Sequence, residues 1–139
     1  MKPFVLDSSM QTMSGVFYPT GYVVMMLPTR DDAKHAVKAL TDHGMAADAM
    51  TLLPPDTVLN EIARTVGSAD IPLPSPGTEA DTVRQMTDFA SNGHWGLMVY
   101  APHQKDGEDV MSWLKDLPIP YAQKYRQLVI EDLVETRPL

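Results

Sequence analysis

Cysteine is absent from the 139 residues. Its absence excludes thiol catalysis, iron–sulfur clusters, zinc-thiolate sites and a disulfide framework, and fits a reducing compartment. Basic charge is scarce. Eleven Lys and Arg stand against 18 Asp and Glu, for a net charge of −7, the wrong sign for affinity that comes from neutralising phosphates. Nucleic acid is therefore not an expected partner. Long apolar runs are missing too. The stretch Pro3-Phe4-Val5-Leu6 is too short for a signal-peptide core, and the longest run elsewhere, Tyr22 to Pro28, falls far below the roughly 18 residues that span a bilayer. The expectation is a cytoplasmic protein with no membrane partner.

What is present is enough for one core: 44% hydrophobic residues in a chain of single-domain length. Gly21 to Leu27 reads as a continuous apolar run, the pattern of a central strand buried on both faces. Pro28 ends it. Thr29 with Asp31 and Asp32 predicts a capped helix start, and Ala33, Ala36, Val37 and Leu40 form its apolar stripe, with Gly44 as the stop. A second strand is predicted over Ala49 to Leu53. Asp56 then caps a helix with Leu59, Ile62, Ala63 and Val66 inside, ending at Gly67. Ser68 to Gly77, with three prolines, reads as an extended linker. Thr78 to Asp81 caps the next helix, whose inner side is Val83, Met86, Phe89 and Ala90.

His94 to Ala101 predicts a third strand, and Gln104 to Leu117 a helix carrying Val110, Trp113, Leu114 and Leu117. Tyr121 to Ile130 follows as a fourth strand. Pro28 and Pro102 stand 74 positions apart, and the same offset pairs Ala36 with Val110, Val37 with Met111 and Leu40 with Leu114. Two strand–helix–strand units around one core are the plan of an α+β, ferredoxin-like split β-α-β sandwich, here with a two-helix insertion between strands 2 and 3. The expected organisation is an N-terminal extension over 1–20, one domain over 21–133 with the insertion at 54–93, and a tail over 134–139. Residues 56–93 hold six acids against Arg64 and Arg84, so the insertion carries most of the net charge.

The stretches Gly93 to Pro102 and Tyr125 to Leu133, with the Val23-Val24 strand and the helix of Asp31, Asp32, Ala33, Ala36 and Val37, resemble the bacterial heat-induced general stress protein (YflT-like) domain family. The resemblance implies a stress-linked role and brings no catalytic residues with it.

Among single residues, the histidines come first, as general bases and metal ligands. Asp31 and His35 lie one helical turn apart and supply only two ligands; His94 and His103 flank strand 3 at about 30 Å if it is straight. No metal and no cofactor are expected. Ser8-Ser9 and Ser14-Gly15 lack the nucleophile elbow, and no phosphate loop occurs. Adjacent carboxylates such as Glu108-Asp109 and Glu131-Asp132 read as capping and solvated groups. The ten methionines read as core filling.

Strand alternation puts His94, Gly96, Met98 and Tyr100 on one face of strand 3 and Trp95, Leu97, Val99 and Ala101 on the other. If the second set faces the helices, His94, Met98 and Tyr100, joined by Tyr125, mark an open sheet face. Such a face is expected to serve as a homodimer interface, to bind a small molecule, or to be covered by the chain's own middle helices. The leading expectation is a non-enzymatic, homodimeric interaction module. A small-molecule sensor of the amino-acid-binding regulatory type is the alternative, and a cofactor-free monooxygenase-like enzyme with His94 or His103 as base comes third. RNA recognition on the sheet would need exposed aromatics and basic residues; strand 3 offers only Tyr100.

Overall fold

A computed structural model of the chain describes residues 3–12, 15–66, 78–126 and 130–134. The predicted Gly67 stop, the 68–77 linker, positions 127–129 of the predicted fourth strand and residues 135–139 of the predicted tail lie outside them.

β1 (Tyr22–Leu27) is followed by α1 (Arg30–Asp42) and β2 (Met50–Leu53). The start of α1 is fixed as expected: Thr29 Oγ1 accepts from the Asp32 amide at 3.1 Å and donates to the Asp32 carboxylate at 2.9 Å. Gly44 takes φ +93°, the left-handed stop. After β2 the chain turns helical over 55–66, as α2 (Pro55–Thr57), a π-helical stretch (Val58–Ile62) and a 3-10 turn (Ala63–Val66). Asp56 sits inside the first turn rather than capping it, because Pro55 occupies the first helical position. α3 (Thr78–Ser91), β3 (Trp95–Tyr100), α4 (Gln104–Trp113) and β4 (Tyr121–Tyr125) follow. The predicted long fourth strand is in fact two elements. It ends at Tyr125, and β5 (Ile130–Asp132) folds back antiparallel beside it, pairing Lys124 with Glu131.

All neighbouring strands are antiparallel, in the order β2-β3-β1-β4-β5. β3 separates β1 from β2, and β1 separates β3 from β4, so each strand–helix–strand unit leaves a gap that the other unit fills. The 74-residue offset is realised in packing: Ala36, Leu40, Val110 and Leu114 lie together in one core with Val23, Met25, Leu27, Leu97 and Val99. This is the sheet face under α1 and α4.

The opposite face is also covered. Val24, Met26, Leu53, Met98, Tyr121 and Tyr125 pack beneath Val58 and Ile62, beneath Val83, Met86 and Phe89 of α3, and beneath Val16 and Phe17 from the N-terminal segment. The molecule therefore has three layers, with the sheet in the middle. Of the stretch expected as an N-terminal extension, Phe4, Leu6, Met10, Val16, Phe17 and Tyr18 pack in this second core. Of the outcomes weighed for the second face, coverage by the chain's own middle helices is the one found. β1 shows why: Val23 to Leu27 are all fully buried, which requires a layer on each side. No helix among the described residues is long and apolar enough to cross a membrane.

Candidate functional site: a pocket under the N-terminal arm

The segment before β1 forms an arm held by its own polar groups. Asp7 accepts from the Ser9 amide at 2.9 Å and from the Ser9 hydroxyl, starting a single 3-10 turn at Ser8–Met10. The chain then doubles back. Tyr18 donates its amide to the Met10 carbonyl at 2.6 Å, and Gln11 bridges Phe17. Phe17 anchors the return: its amide donates to Thr65 Oγ1 at 2.8 Å, and Thr65 Oγ1 donates to the Ile62 carbonyl at 2.7 Å. The Phe17 ring meets Tyr125 edge-on at 6.1 Å, and Phe4 meets Phe17 in the same manner at 6.3 Å.

Between this arm and the sheet lies a pocket of about 180 Å³, walled by Pro3, Phe4, Val5, Asp7 and Met10 above and by Thr51 and Met98 below. Thr51 and Met98 are cross-strand partners of β2 and β3. The walls are mainly apolar, and among the described lining residues the polar side chains are Thr51 and Asp7. For scale, an apolar cavity of roughly 150 Å³ holds benzene.

The four residues expected at the site separate. Met98 is buried and forms the floor of the pocket. Tyr100 is exposed, its ring 5.1 Å from Tyr22. His94 stands at the other end of β3, six positions or about 20 Å away, so His94 and Tyr100 cannot touch one small ligand. The His94 ring packs on Phe89 at 5.0 Å, and its Nδ1 is shut off from solvent with no hydrogen-bond partner among the described residues. Tyr125 is fully buried and donates its hydroxyl to Thr82 Oγ1 at 3.3 Å, while the Tyr121 hydroxyl donates to the Thr82 carbonyl at 3.5 Å. Tyr125 is thus core, not surface.

Thr51, Phe4, Val5, Asp7 and Met10 were not expected at a site. The one available signal was Thr51 itself, a hydroxyl in the otherwise apolar strand Met50-Thr51-Leu52-Leu53. Elsewhere three polar side chains are engaged structurally. His43 stacks on Trp113 at 4.6 Å, and Arg30 lies over the Trp95 ring at 5.8 Å. Lys124 is 3% exposed; its amine donates to the His103 carbonyl and its stem passes over Gly107. Among the described residues no group of three or more His, Asp or Glu could hold a metal ion.

The buried tyrosines make stability depend on alkaline pH. Burial pushes the Tyr125 phenol up to about 12 and drives Tyr121 well above its ordinary value, in the same direction as the neighbouring Tyr125. The folded state therefore holds these protons after the unfolded chain has lost them. Their contribution is complete below the unfolded value of about 10 and is lost as pH rises from there toward about 12. Between pH of about 9 and about 11, Tyr125→Phe is expected to lose about 1 kcal/mol less stability than the parent. Urea midpoints at the two pH values check this, and an equal loss in both proteins would refute it.

No protein-family model, curated protein or solved structure matches the chain.

Proposed function

We propose that the chain is a non-catalytic receptor domain: a ferredoxin-like split β-α-β sandwich, enlarged by a fifth strand, a helical insertion and the N-terminal arm, that takes a compact apolar molecule between arm and sheet. The observation that carries this reading is the pocket of about 180 Å³ at Met98. It lies on the sheet face that the sequence had marked for binding, and its lining is mainly carbon. The size is below the roughly 300–1,000 Å³ typical of drug-sized ligands and suits one ring or a short branched chain. Asp7 is engaged by Ser9, and no histidine lines the pocket among the described residues, which favours binding over proton transfer. The resemblance to heat-induced general stress domains adds a stress-linked context and no site residue.

Homodimer formation through the sheet face loses its surface, because Met98 and Tyr125 are covered by the chain itself. The large hydrophobic side chains left exposed among the described residues are Val5 and Tyr100, little for an interface that usually buries about 1,200–2,000 Å².

Toluene titrated calorimetrically should saturate at one site per chain, and at one hundred times its dissociation constant it should stabilise the protein by about 2.7 kcal/mol. Met10→Trp, which places a larger ring in the pocket wall, should abolish the response. A heat that never saturates, or one unchanged in Met10→Trp, would contradict the proposal.

A further inference from the structure

The arm above the pocket is made of two kinds of chain. From Asp7 onward it is tied: the Met10 amide donates to the Asp7 carbonyl at 3.0 Å, the Gln11 amide to the Ser8 carbonyl at 3.3 Å, and the Met10 carbonyl receives the Tyr18 amide at 2.6 Å. Residues 3–6 are not. Among the described residues no hydrogen bond joins Pro3, Phe4, Val5 or Leu6 to the rest of the chain, and Pro3 has no amide hydrogen to donate. Phe4 and Leu6 are half-buried against the second core, whereas Pro3 and Val5 are exposed, the alternation of an extended segment lying on a surface. The Phe4 ring meets Phe17 edge-on at 6.3 Å, and Phe17 is in turn tied to Thr65.

This division coincides with the pocket. Pro3, Phe4 and Val5 line it from the untied side, while Met10, Thr51 and Met98 line it from the tied turn and the sheet. A segment with few buried contacts and no backbone hydrogen bonds opens far more readily than the body it lies on. Four extended residues reach about 13–14 Å, more than the width of a cavity of about 180 Å³. The floor, by contrast, opens only if β2 and β3 part.

Resting on the receptor reading above, we propose that residues 3–6 are a flap over the pocket, hinged where the chain enters the Ser8–Met10 turn and latched by Phe4 on Phe17, which opens to admit the ligand and is held shut by it. The open arrangement is a minor state of the free protein. A ligand that touches Pro3, Phe4 and Val5 only when the flap is closed shifts the population toward closure.

The test is fluorine NMR of the full chain labelled with para-fluorophenylalanine, whose fluorine lies on the ring axis and is blind to ring flips. The three phenylalanines, Phe4, Phe17 and Phe89, then report separately on flap, anchor and α3. In the free protein Phe4 should show relaxation dispersion on the microsecond-to-millisecond scale of lid opening, with Phe17 and Phe89 flat, and saturating toluene should remove it. Toluene should also associate about tenfold faster with Phe4→Ala than with the parent, because losing an edge-on ring contact and its buried area raises the open population by about that factor. A residue that merely walls the pocket would change dissociation and leave association alone. If toluene binds but Phe4 is as flat as Phe17, or its dispersion persists at saturation, the flap is overturned while the receptor reading stands. Unchanged association in Phe4→Ala overturns the latch. If toluene does not bind the parent, the receptor reading itself fails, and this inference falls with it.

Discussion

Phe17→Ala is expected to cost about 3–5 kcal/mol of folding stability, the usual range for truncating a buried phenylalanine. The residue belongs to the stretch 1–20 expected from the sequence as an N-terminal extension, and its side chain is fully buried. Its ring is gripped edge-on by Phe4 and Tyr125, and such aromatic pairs add about 0.5–1.5 kcal/mol beyond the buried area. Its amide is tied to Thr65 in the helical segment after β2, so losing the ring loosens both the arm and the layer it closes. Against a total stability of roughly 5–15 kcal/mol, the change is large. Val5→Ala, on the same arm and 64% exposed, should change stability by no more than about 0.5 kcal/mol. Urea unfolding of both variants decides the matter. A cost for Phe17→Ala below about 1 kcal/mol would mean that the arm does not pack as described.

The second large effect is expected at Gly96. A Cβ there would stand 2.9 Å from Leu53 Cβ and 3.2 Å from Met26 Sδ. The methionine can swing away, but Leu53 Cβ is fixed by its own backbone, so β2 and β3 would have to separate. Overpacking of this kind costs about 1–3 kcal/mol. The gain from replacing a strand glycine, about 0.5–1 kcal/mol, offsets only part of it. Gly96→Ala should therefore destabilise by about 1–2 kcal/mol. In Leu53→Gly, which removes both the Cβ at 2.9 Å and the Cδ1 at 3.1 Å, the same change should cost measurably less. A double-mutant cycle by urea unfolding reads this coupling directly. Strict additivity of the two substitutions would show that the strands do not approach so closely.

Much of the fold was legible because its signals are local. The Thr29 cap, the stripe Ala33, Ala36, Leu40 and the offset partners Val110 and Leu114 were read from spacing, and they occupy the positions expected. The alternation along β3 was equally plain, with Met98 and Leu97 in opposite layers. What failed was the expectation of an open face, and here the chain held the answer. A run of five apolar residues, Val23 to Leu27, makes physical sense only when both sides of its sheet are covered. The cover could not be identified from pattern because its parts are weakly periodic. The helical segment over 55–66 changes from α to π to 3-10 geometry, and the arm has no repeat beyond the 3-10 turn at Ser8–Met10.

The site was legible only in part for a similar reason. Met98 could be found because strand alternation fixes which way it points. Thr51 could have been noticed as a polar interruption of β2, but its facing partners Phe4, Val5 and Met10 come from a segment more than forty positions away whose docking depends on Phe17 and Thr65. The splitting of the fourth strand into β4 and β5 was hidden by the apolar residues at its far end, which resemble a continuation of one strand. His94 and Tyr100 shared a face in the pattern, and the length of β3 kept them apart.

The most direct measurement is a toluene titration followed by NMR of the protein labelled at its methionine methyl groups. The account predicts that the methyls of Met98 and Met10, which line the pocket, shift together along one saturable curve. Met25, Met50 and Met111, which belong to the layer under α1 and α4, should stay in place. Shifts spread over methionines of both layers, or no saturable shift at Met98, would contradict the claim that arm and sheet enclose a binding pocket.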